Sequence, residues 1–244
     1  MAEIAVSFDR NGLVPVIVQD HLTGEIRMFA HATVEALEAT IETGRATFWS
    51  RSRNELWEKG QTSGNTLQVH RVLVDCDDDC LVYSVEPTGA TCHTGAPSCF
   101  FQTMDANGVT HPSGALPQTM IARLEAEMEA RRGSNASKSY TKSLLDAGAA
   151  KIGDKVREEA DEFARAVAGE ADDRVTSEAA DVVYHLLVGL KSRNLEWRDV
   201  LAVLEARAAS KLSGHEEKAG RSIGSVGTLG AAGARDRIGR GTIP

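Results

Sequence analysis

The chain has 244 residues, 42% of them hydrophobic, enough to bury two modest cores rather than one small one. Its 27 Lys and Arg against 35 Asp and Glu give a formal charge of −8, which excludes bulk binding to nucleic acid or to an anionic membrane surface. No stretch is long and apolar enough to span a bilayer. Met1 to Asp20 lacks the basic-then-apolar pattern of a secretory signal, so a cytoplasmic protein with no membrane partner is expected.

The first hundred residues predict a β-rich α+β domain. Val14 to Gln19 and Ile26 to Ala30 are strand-like, and the turn signal Leu22-Thr23-Gly24 between them predicts a hairpin. Thr33 is placed to cap a helix over Val34 to Thr43 that Gly44 stops. Strand character returns at Thr47 to Ser50 and at Leu67 to Val74, while polar, glycine-bearing Arg51 to Asn65 reads as a functional loop. Thr103 to Gln118, with Asn107-Gly108, Pro112 and Pro117, reads as a linker. Beyond it Met120 to Arg131, Ser139 to Ala147, Ile152 to Ala168, Val175 to Leu190 and Trp197 to Ala209 all carry helical spacing and predict an all-α bundle. After Gly220 the Gly-, Ala- and Arg-rich chain predicts disorder or a partner-dependent tail. The expected domains are therefore 1–103 and 118–212, joined by a linker at 104–117 and followed by a tail at 213–244.

The stretch Val72 to Phe100 holds the densest set of metal-ligand residue types. Its flanks, Val72-Leu73-Val74 and Leu81-Val82-Tyr83, read as one continuous strand. On that reading Asp75, Asp77 and Asp79 share one face, and three close carboxylates need neutralising by a hard cation such as Mg²⁺. Cys76 and Cys80 point the other way. Cys76, Cys92 and Cys99 with His93 form the thiolate and imidazole set that Zn²⁺ prefers, with a fourth position left for water. Cys80 reads as a small core hydrophobe. All four cysteines lie within this stretch, and in a reducing compartment that points to metal rather than to disulfides. An acidic edge strand with buried free cysteines is the plain alternative.

A second set of acids lies on two adjacent predicted helices. Spacings of three and four residues bring Glu159 with Glu162, and Glu178 with Asp181, onto one face each, so facing helices would offer four carboxylates to Mg²⁺. A solvated acidic face is the alternative, but small Ala160, Ala179 and Ala180 and the apolar run after Asp181 favour a groove. His185, one turn after Asp181, reads as a hydrogen-bonded supporting residue rather than a ligand.

Ser50-Arg51-Ser52-Arg53, Leu56-Trp57-Glu58-Lys59-Gly60, Thr62-Ser63-Gly64-Asn65, Asp75-Cys76-Asp77-Asp78-Asp79, Cys92-His93-Thr94-Gly95 and Ser98-Cys99-Phe100 together closely resemble phosphoribosyl-AMP cyclohydrolase. Ser139-Tyr140-Thr141, Lys155, Glu158-Glu159, Glu162, Glu178, Asp181 and Tyr184-His185 resemble phosphoribosyl-ATP pyrophosphohydrolase, a relative of the MazG-type pyrophosphatases. The order of the two, over roughly Gly12 to Ala209, resembles the bifunctional enzymes of histidine biosynthesis. The resemblance implies Mg²⁺ on Asp75, Asp77 and Asp79, and Zn²⁺ on Cys76, Cys92 and Cys99 drawn from two subunits of a homodimer. Ala30-His31 and Cys80 depart from the family pattern, and His31 is placed to alter a pocket wall.

The implied chemistry is hydrolysis of phosphoribosyl-ATP to phosphoribosyl-AMP and pyrophosphate at Mg²⁺ held by Glu159, Glu162, Glu178 and Asp181. The adenine ring of phosphoribosyl-AMP is then opened at N1–C6 by zinc-assisted hydrolysis. His93 is the expected general acid/base, with a fourth zinc ligand as its other reading. Arg51, Arg53 and Lys59 are expected to clamp phosphates and Trp57 to stack on the purine, with Ser63 and Thr94 completing the substrate contacts; structural roles for the arginines and Trp57 are the alternative. Lys155 is either a phosphate contact or a partner for Glu159 one turn on. Two other functions remain open: a general nucleotide pyrophosphatase with a non-catalytic zinc dimerisation domain, and a zinc-organised dimerisation module carrying a partner-binding bundle.

Overall fold

The computed structural model describes residues 5–112, 119–133 and 139–220, with side chains in α6 to residue 210. The expected tail after Gly220 and the end of the expected linker, 113–118, lie outside these residues. Backbone packing divides the chain after Ala202: one unit holds the sheet and most of the helical region, and a second begins at Val203 within the last helix.

The N-terminal part is a six-stranded sheet with one helix. Strands β1 (Val14–Asp20) and β2 (Ile26–Ala32) form the predicted hairpin, and Val14, Val16, Val18 and Asp20 alternate into the core as a half-buried strand requires. Helix α1 (Val34–Thr43) begins where the Thr33 side chain accepts a bond from the Ala36 N–H. It ends at Gly44, whose φ of 68° lets its N–H reach the Thr40 carbonyl. Strands β3 (Thr47–Ser50), β4 (Glu55–Glu58), β5 (Leu67–Val74) and β6 (Leu81–Pro87) complete the sheet in the order β4-β3-β2-β1-β6-β5, with β1 and β6 the parallel pair. Val14, Val16, Val18, Leu37, Phe48, Leu81, Tyr83 and Val85 are its buried core.

Four sequence expectations need correction here. The run from Val72 to Tyr83 is two antiparallel strands, not one: Val74 pairs with Leu81, and Asp75 to Cys80 form the turn between them. The Asp75 carboxylate accepts the N–H groups of Asp79 and Cys80, both at 3.0 Å, and Asp78 takes a φ of 63°, so local side-chain bonding reverses the chain. Cys80 is half-exposed in that turn rather than core. Within the expected loop Arg51 to Asn65, Glu55–Glu58 forms strand β4, which looked like loop because it is an edge strand with a solvated face. Within the expected linker, β7 (Gln102–Met104) and β8 (Thr110–Pro112) pair as a hairpin around Asn107-Gly108, held by Asp105 accepting from Asn107 and Val109.

The C-terminal part is helical: α2 (Met120–Arg132), α3 (Tyr140–Ala147), α4 (Ala149–Gly169), α5 (Asp172–Ser192) and α6 (Trp197–Gly220). Met128, Leu144, Ile152, Leu187 and Val188 are its buried centre, with Tyr184 and Trp197 packed on it. Only Glu170 and Ala171 separate α4 from α5, so the pair folds back as an antiparallel hairpin and packs extensively. No helix among the described residues is long and apolar enough to cross a membrane.

The sheet and the first turn of α6 meet at one buried charge. Asp20, 1% exposed, accepts the N–H groups of Leu22 and Thr23, Arg27 at 2.7 Å and Arg198 at 2.5 Å. Burial alone would raise its pKa, but the Thr23 amide and the two guanidinium groups outweigh that and hold it below the ordinary 3.8. A carboxyl depressed in the folded state adds stability that is fully present above its unfolded pKa and is lost as pH falls through the folded one. Asp20→Asn is therefore expected to cost about 3 kcal/mol at neutral pH, because it removes the buried carboxylate that both guanidinium groups share and leaves them only the more distant Glu25 and Glu86. Its stability should also fall less steeply than wild type below about pH 4. Denaturant midpoints at neutral and acid pH check both; equal midpoints at pH 7 would refute the bond's weight.

Candidate active sites

The first site lies where the loop after β6 returns over the sheet. Cys92, 6% exposed, is held in a tight turn by its N–H to the Ala96 carbonyl, and the loop is pinned to β2 by Ser98 Oγ on the Ile26 carbonyl and Cys99 N–H on the Arg27 carbonyl. It borders a cavity of about 770 Å³ lined by Arg53, Trp57, Lys59, Gly60, Ser63, Asn65, Thr91, Cys92, His93 and Cys99, among others. Gly60 has φ 87°, and a Cβ there would sit 2.3 Å from the Asn65 carbonyl oxygen, so this turn of the cavity wall admits only glycine.

The two thiols differ. Burial acts to raise Cys92, but the Thr94 hydroxyl, 3.1 Å from its sulfur, with local amides and the Cys99 thiol, lowers it overall. Cys99 is pushed up to about 11 by burial and by Cys92 beside it. Two thiols that close cannot both ionise without a cation, and sulfur donors next to His93, whose Nδ1 is 3.8 Å from Cys92 Sγ, fit a borderline metal. Lys59 is held below its ordinary value by burial, with Cys99 and Cys92 opposing. Its ammonium thus faces the thiol pair and bonds the Asn65 carbonyl at 3.3 Å.

Not every expected residue converges there. Cys76 is exposed in the β5–β6 turn and does not line the cavity, so one protomer brings together two of the three cysteines. Asp75, Asp77 and Asp79 offer oxygens within 4.8 Å of one another in that same turn, and Asp79 is raised by the charges of Asp77 and Asp75, the repulsion a hard cation relieves. Arg51 lines a neighbouring shallow pocket with Phe29, His31, Trp49 and Trp57, and Arg53 borders both pockets while paired to Glu55 at 3.1 Å. His31 stands in that wall, lowered by burial and by Arg51. Trp57 is half-buried, its ring 5.3 Å from that of Phe48, and it borders the cavity. Thr91, which the sequence did not single out, is buried beside Cys92 with no hydrogen-bond partner for its hydroxyl.

The second site is the groove between α4 and α5. Glu159, Glu178 and Asp181 present oxygens within 4.8 Å of one another, and Glu178 is 2% exposed. Glu162, the fourth expected ligand, stands outside this tight group, though its charge acts on Glu178. Burial raises Glu178, and Glu162, Asp181 and Glu159 add to the rise while Arg174 opposes it at 2.6 Å. Arg174 was overlooked in the sequence; its signal was its position one turn before Glu178. Lys155 bonds Glu158 and Glu159, each at 2.9 Å, so it pairs with acids rather than standing free. His185 is buried, with Nδ1 2.9 Å from the Asp181 carbonyl and Nε2 3.1 Å from the Tyr140 hydroxyl, and so braces the groove. Convergent carboxylates, two of them buried, are the donor set that Mg²⁺ takes.

A sheet carrying thiols and imidazole beside a cavity, followed in one chain by a helical hairpin carrying convergent carboxylates, defines a two-site hydrolase. Residues 28–101 match the family model of phosphoribosyl-AMP cyclohydrolase and residues 121–208 that of phosphoribosyl-ATP pyrophosphohydrolase. The histidine biosynthesis bifunctional protein HisIE of Prochlorococcus marinus subsp. pastoris is 41% identical over 203 residues, covering 82% of this chain and 92% of the relative. That of Haemophilus influenzae is 40% identical over 197 residues, 81% and 89%, and that of Halalkalibacterium halodurans 42% over 206 residues, 84% and 97%. The chain belongs to this HisIE family of bifunctional histidine-biosynthesis enzymes, as the resemblance of its motifs implied. A match to the cyclohydrolase model weighs against the reading as a general pyrophosphatase with a non-catalytic N-terminal part.

Proposed function

We propose that the helical part, 118–212, cleaves phosphoribosyl-ATP between its α and β phosphorus atoms, releasing pyrophosphate. The N-terminal part, 1–103, then adds water to C6 of the resulting phosphoribosyl-AMP and breaks N1–C6. The observation that carries the reading is the meeting of Cys92, Cys99, His93 and Lys59 at one cavity large enough for a purine nucleotide. Incubation with phosphoribosyl-ATP, Mg²⁺ and Zn²⁺, following pyrophosphate and the product spectrum, tests it; release of pyrophosphate with an unchanged purine spectrum would reject the second step.

In the helical groove, Glu159, Glu178 and Asp181 would hold Mg²⁺, with Glu162 as a fourth ligand. The ion would neutralise phosphate charge and acidify water. Lys155 holds Glu159 in place, and Arg174 does the same for Glu178. In the N-terminal part Cys92 and Cys99 of one protomer, with Cys76 of a second, would hold Zn²⁺, which would supply a Lewis acid at the reacting carbon. Asp75, Asp77 and Asp79 would hold Mg²⁺ beside it. Leu73 and Val74, 48% and 45% exposed next to Cys76 on the edge strand β5, support this homodimer, since such an edge is normally covered. Arg51 and Arg53 clamp the phosphates, Trp57 stacks on the purine, Ser63 lines the cavity, and Thr94, whose hydroxyl bonds the Cys92 sulfur, completes the substrate contacts. The cytoplasm, with its reducing thiol pool, suits unpaired cysteines.

His93 takes a proton from the attacking water and delivers one to N1, so that N1 leaves and C6 becomes a carboxamide. His93→Ala is expected to keep zinc and fold yet lower the cyclohydrolase rate about a hundredfold or more, with pyrophosphate release unchanged. Loss of zinc from the folded variant would instead make His93 a ligand.

A further inference from the structure

The ladder between β1 and β2 slips at one point. Val18 faces Met28 and Gln19 faces Ile26, so Arg27 is an extra residue on β2, a β-bulge of the kind that re-aims a side chain. Its effect shows in the burial. Arg27 and Met28 are both buried, although successive residues of a regular strand point to opposite faces. With no partner opposite it on β1, Arg27 turns its carbonyl to the loop after β6, where it accepts the Cys99 N–H at 2.8 Å.

The Arg27 side chain reaches the same loop. Its Nη1 donates to the Pro97 carbonyl at 3.3 Å, while Nη2 is fixed by Asp20 at 2.7 Å and by Glu25 at 3.3 Å. A planar guanidinium carries its donors in a rigid fork, so anchoring one arm on a buried carboxylate aims the other at Pro97. Arg27 therefore holds the loop on both sides of Ser98, whose hydroxyl bonds the Ile26 carbonyl at 2.8 Å. Both thiols depend on this short segment. Cys99 is part of it, and the Cys92 N–H bonds the Ala96 carbonyl at 3.0 Å, one residue before Pro97.

We propose that Arg27 is a positioning residue for the cyclohydrolase site, setting the relation of Cys92 to Cys99 before a metal arrives. It acts through the loop backbone rather than on either sulfur, and the inference rests on the reading of these two cysteines as zinc ligands. A loop already ordered in its metal-bound form spares the binding energy otherwise spent on ordering it. Arg198 shares the Asp20 carboxylate and pairs with Glu86, not with the loop, so it contributes to the buried charge cluster without setting the thiols.

The test measures zinc affinity by chelator competition on wild type, Arg27→Leu, Arg27→Lys and Arg198→Met, with circular dichroism and melting curves on each. Hydrogen exchange of the peptide 96–100 is followed in the metal-free proteins. Arg27→Leu is expected to bind zinc about tenfold more weakly or worse, the usual effect of removing a group that orients metal ligands, and to exchange faster at 96–100. Arg27→Lys keeps a charge beside Asp20 but lacks the fork, so it should melt nearer to wild type and still lose zinc affinity. Arg198→Met should melt below wild type yet keep zinc affinity and loop exchange within about twofold, because every bond to the loop remains. Wild-type affinity and loop exchange in either folded Arg27 variant, or losses in Arg198→Met as large as those in Arg27→Leu, would overturn the positioning role. Cobalt substitution separates this from the reading beneath it: a wild-type protein with no thiolate-to-cobalt absorption band would overturn the metal assignment and the inference with it.

Discussion

Changing Glu159 and Glu178 together to glutamine is expected to abolish pyrophosphate release while leaving ring opening of supplied phosphoribosyl-AMP intact. The substitutions keep shape and remove two of the three converging charges in the α4–α5 groove. Losing the cation there removes roughly 4 kcal/mol or more of transition-state stabilisation, about a thousandfold in rate. Stability should move the other way. Glu178 is buried, raised by its burial and by three neighbouring carboxylates, so neutralising it relieves repulsion, and the metal-free variant should melt at or above the wild-type temperature. Pyrophosphate assays, cyclohydrolase assays and melting curves on one preparation check all three outcomes. Equal loss of both activities in a folded variant would refute the independence of the sites.

Cys76→Ser and Cys92→Ser are each expected to lose nearly all cyclohydrolase activity alone and to regain part of it together. If a second protomer supplies Cys76, a mixed dimer has one site with all three cysteines and one site missing two. Half the dimers in an even mixture are mixed and half their sites are intact, so co-expression should restore about one quarter of wild-type activity. Cys76 lies in the β5–β6 turn and outside the cavity that Cys92 and Cys99 border, so on the proposed arrangement a complete site draws on two chains. Zinc content should follow the same pattern, since metal binding and association are linked. A co-expressed mixture no more active than either variant alone would sink the shared site.

Much of this was legible in the order of residues because it rests on short spacings. Thr33 and Gly44 bracket α1 through bonds to residues three and four away, and the acids of α4 and α5 share faces by helical repeat. The cyclohydrolase and pyrophosphohydrolase motifs are local runs, which is why the family could be read before any fold was known. The aspartate trio was recognised for its chemistry but given the wrong backbone. Apolar flanks on both sides look the same for one long strand and for two strands joined by a turn, and only the bonds from the Asp75 carboxylate to the Asp79 and Cys80 amides decide between them.

The sequence by itself thus determined the helices, the β1–β2 hairpin, the two activities and the family, because each is written in residues within a turn or two of one another. Tertiary structure alone decided which of those residues meet. It placed Cys92 and Cys99 at one cavity and left Cys76 outside it, and it stood Glu162 back from the tight carboxylate group. It also brought His70 to His21, and joined Asp20 to Arg198 across 178 positions of sequence. Such contacts depend on strand order and helix packing, in which distant segments become neighbours by burying apolar surface, and no local pattern encodes the partner.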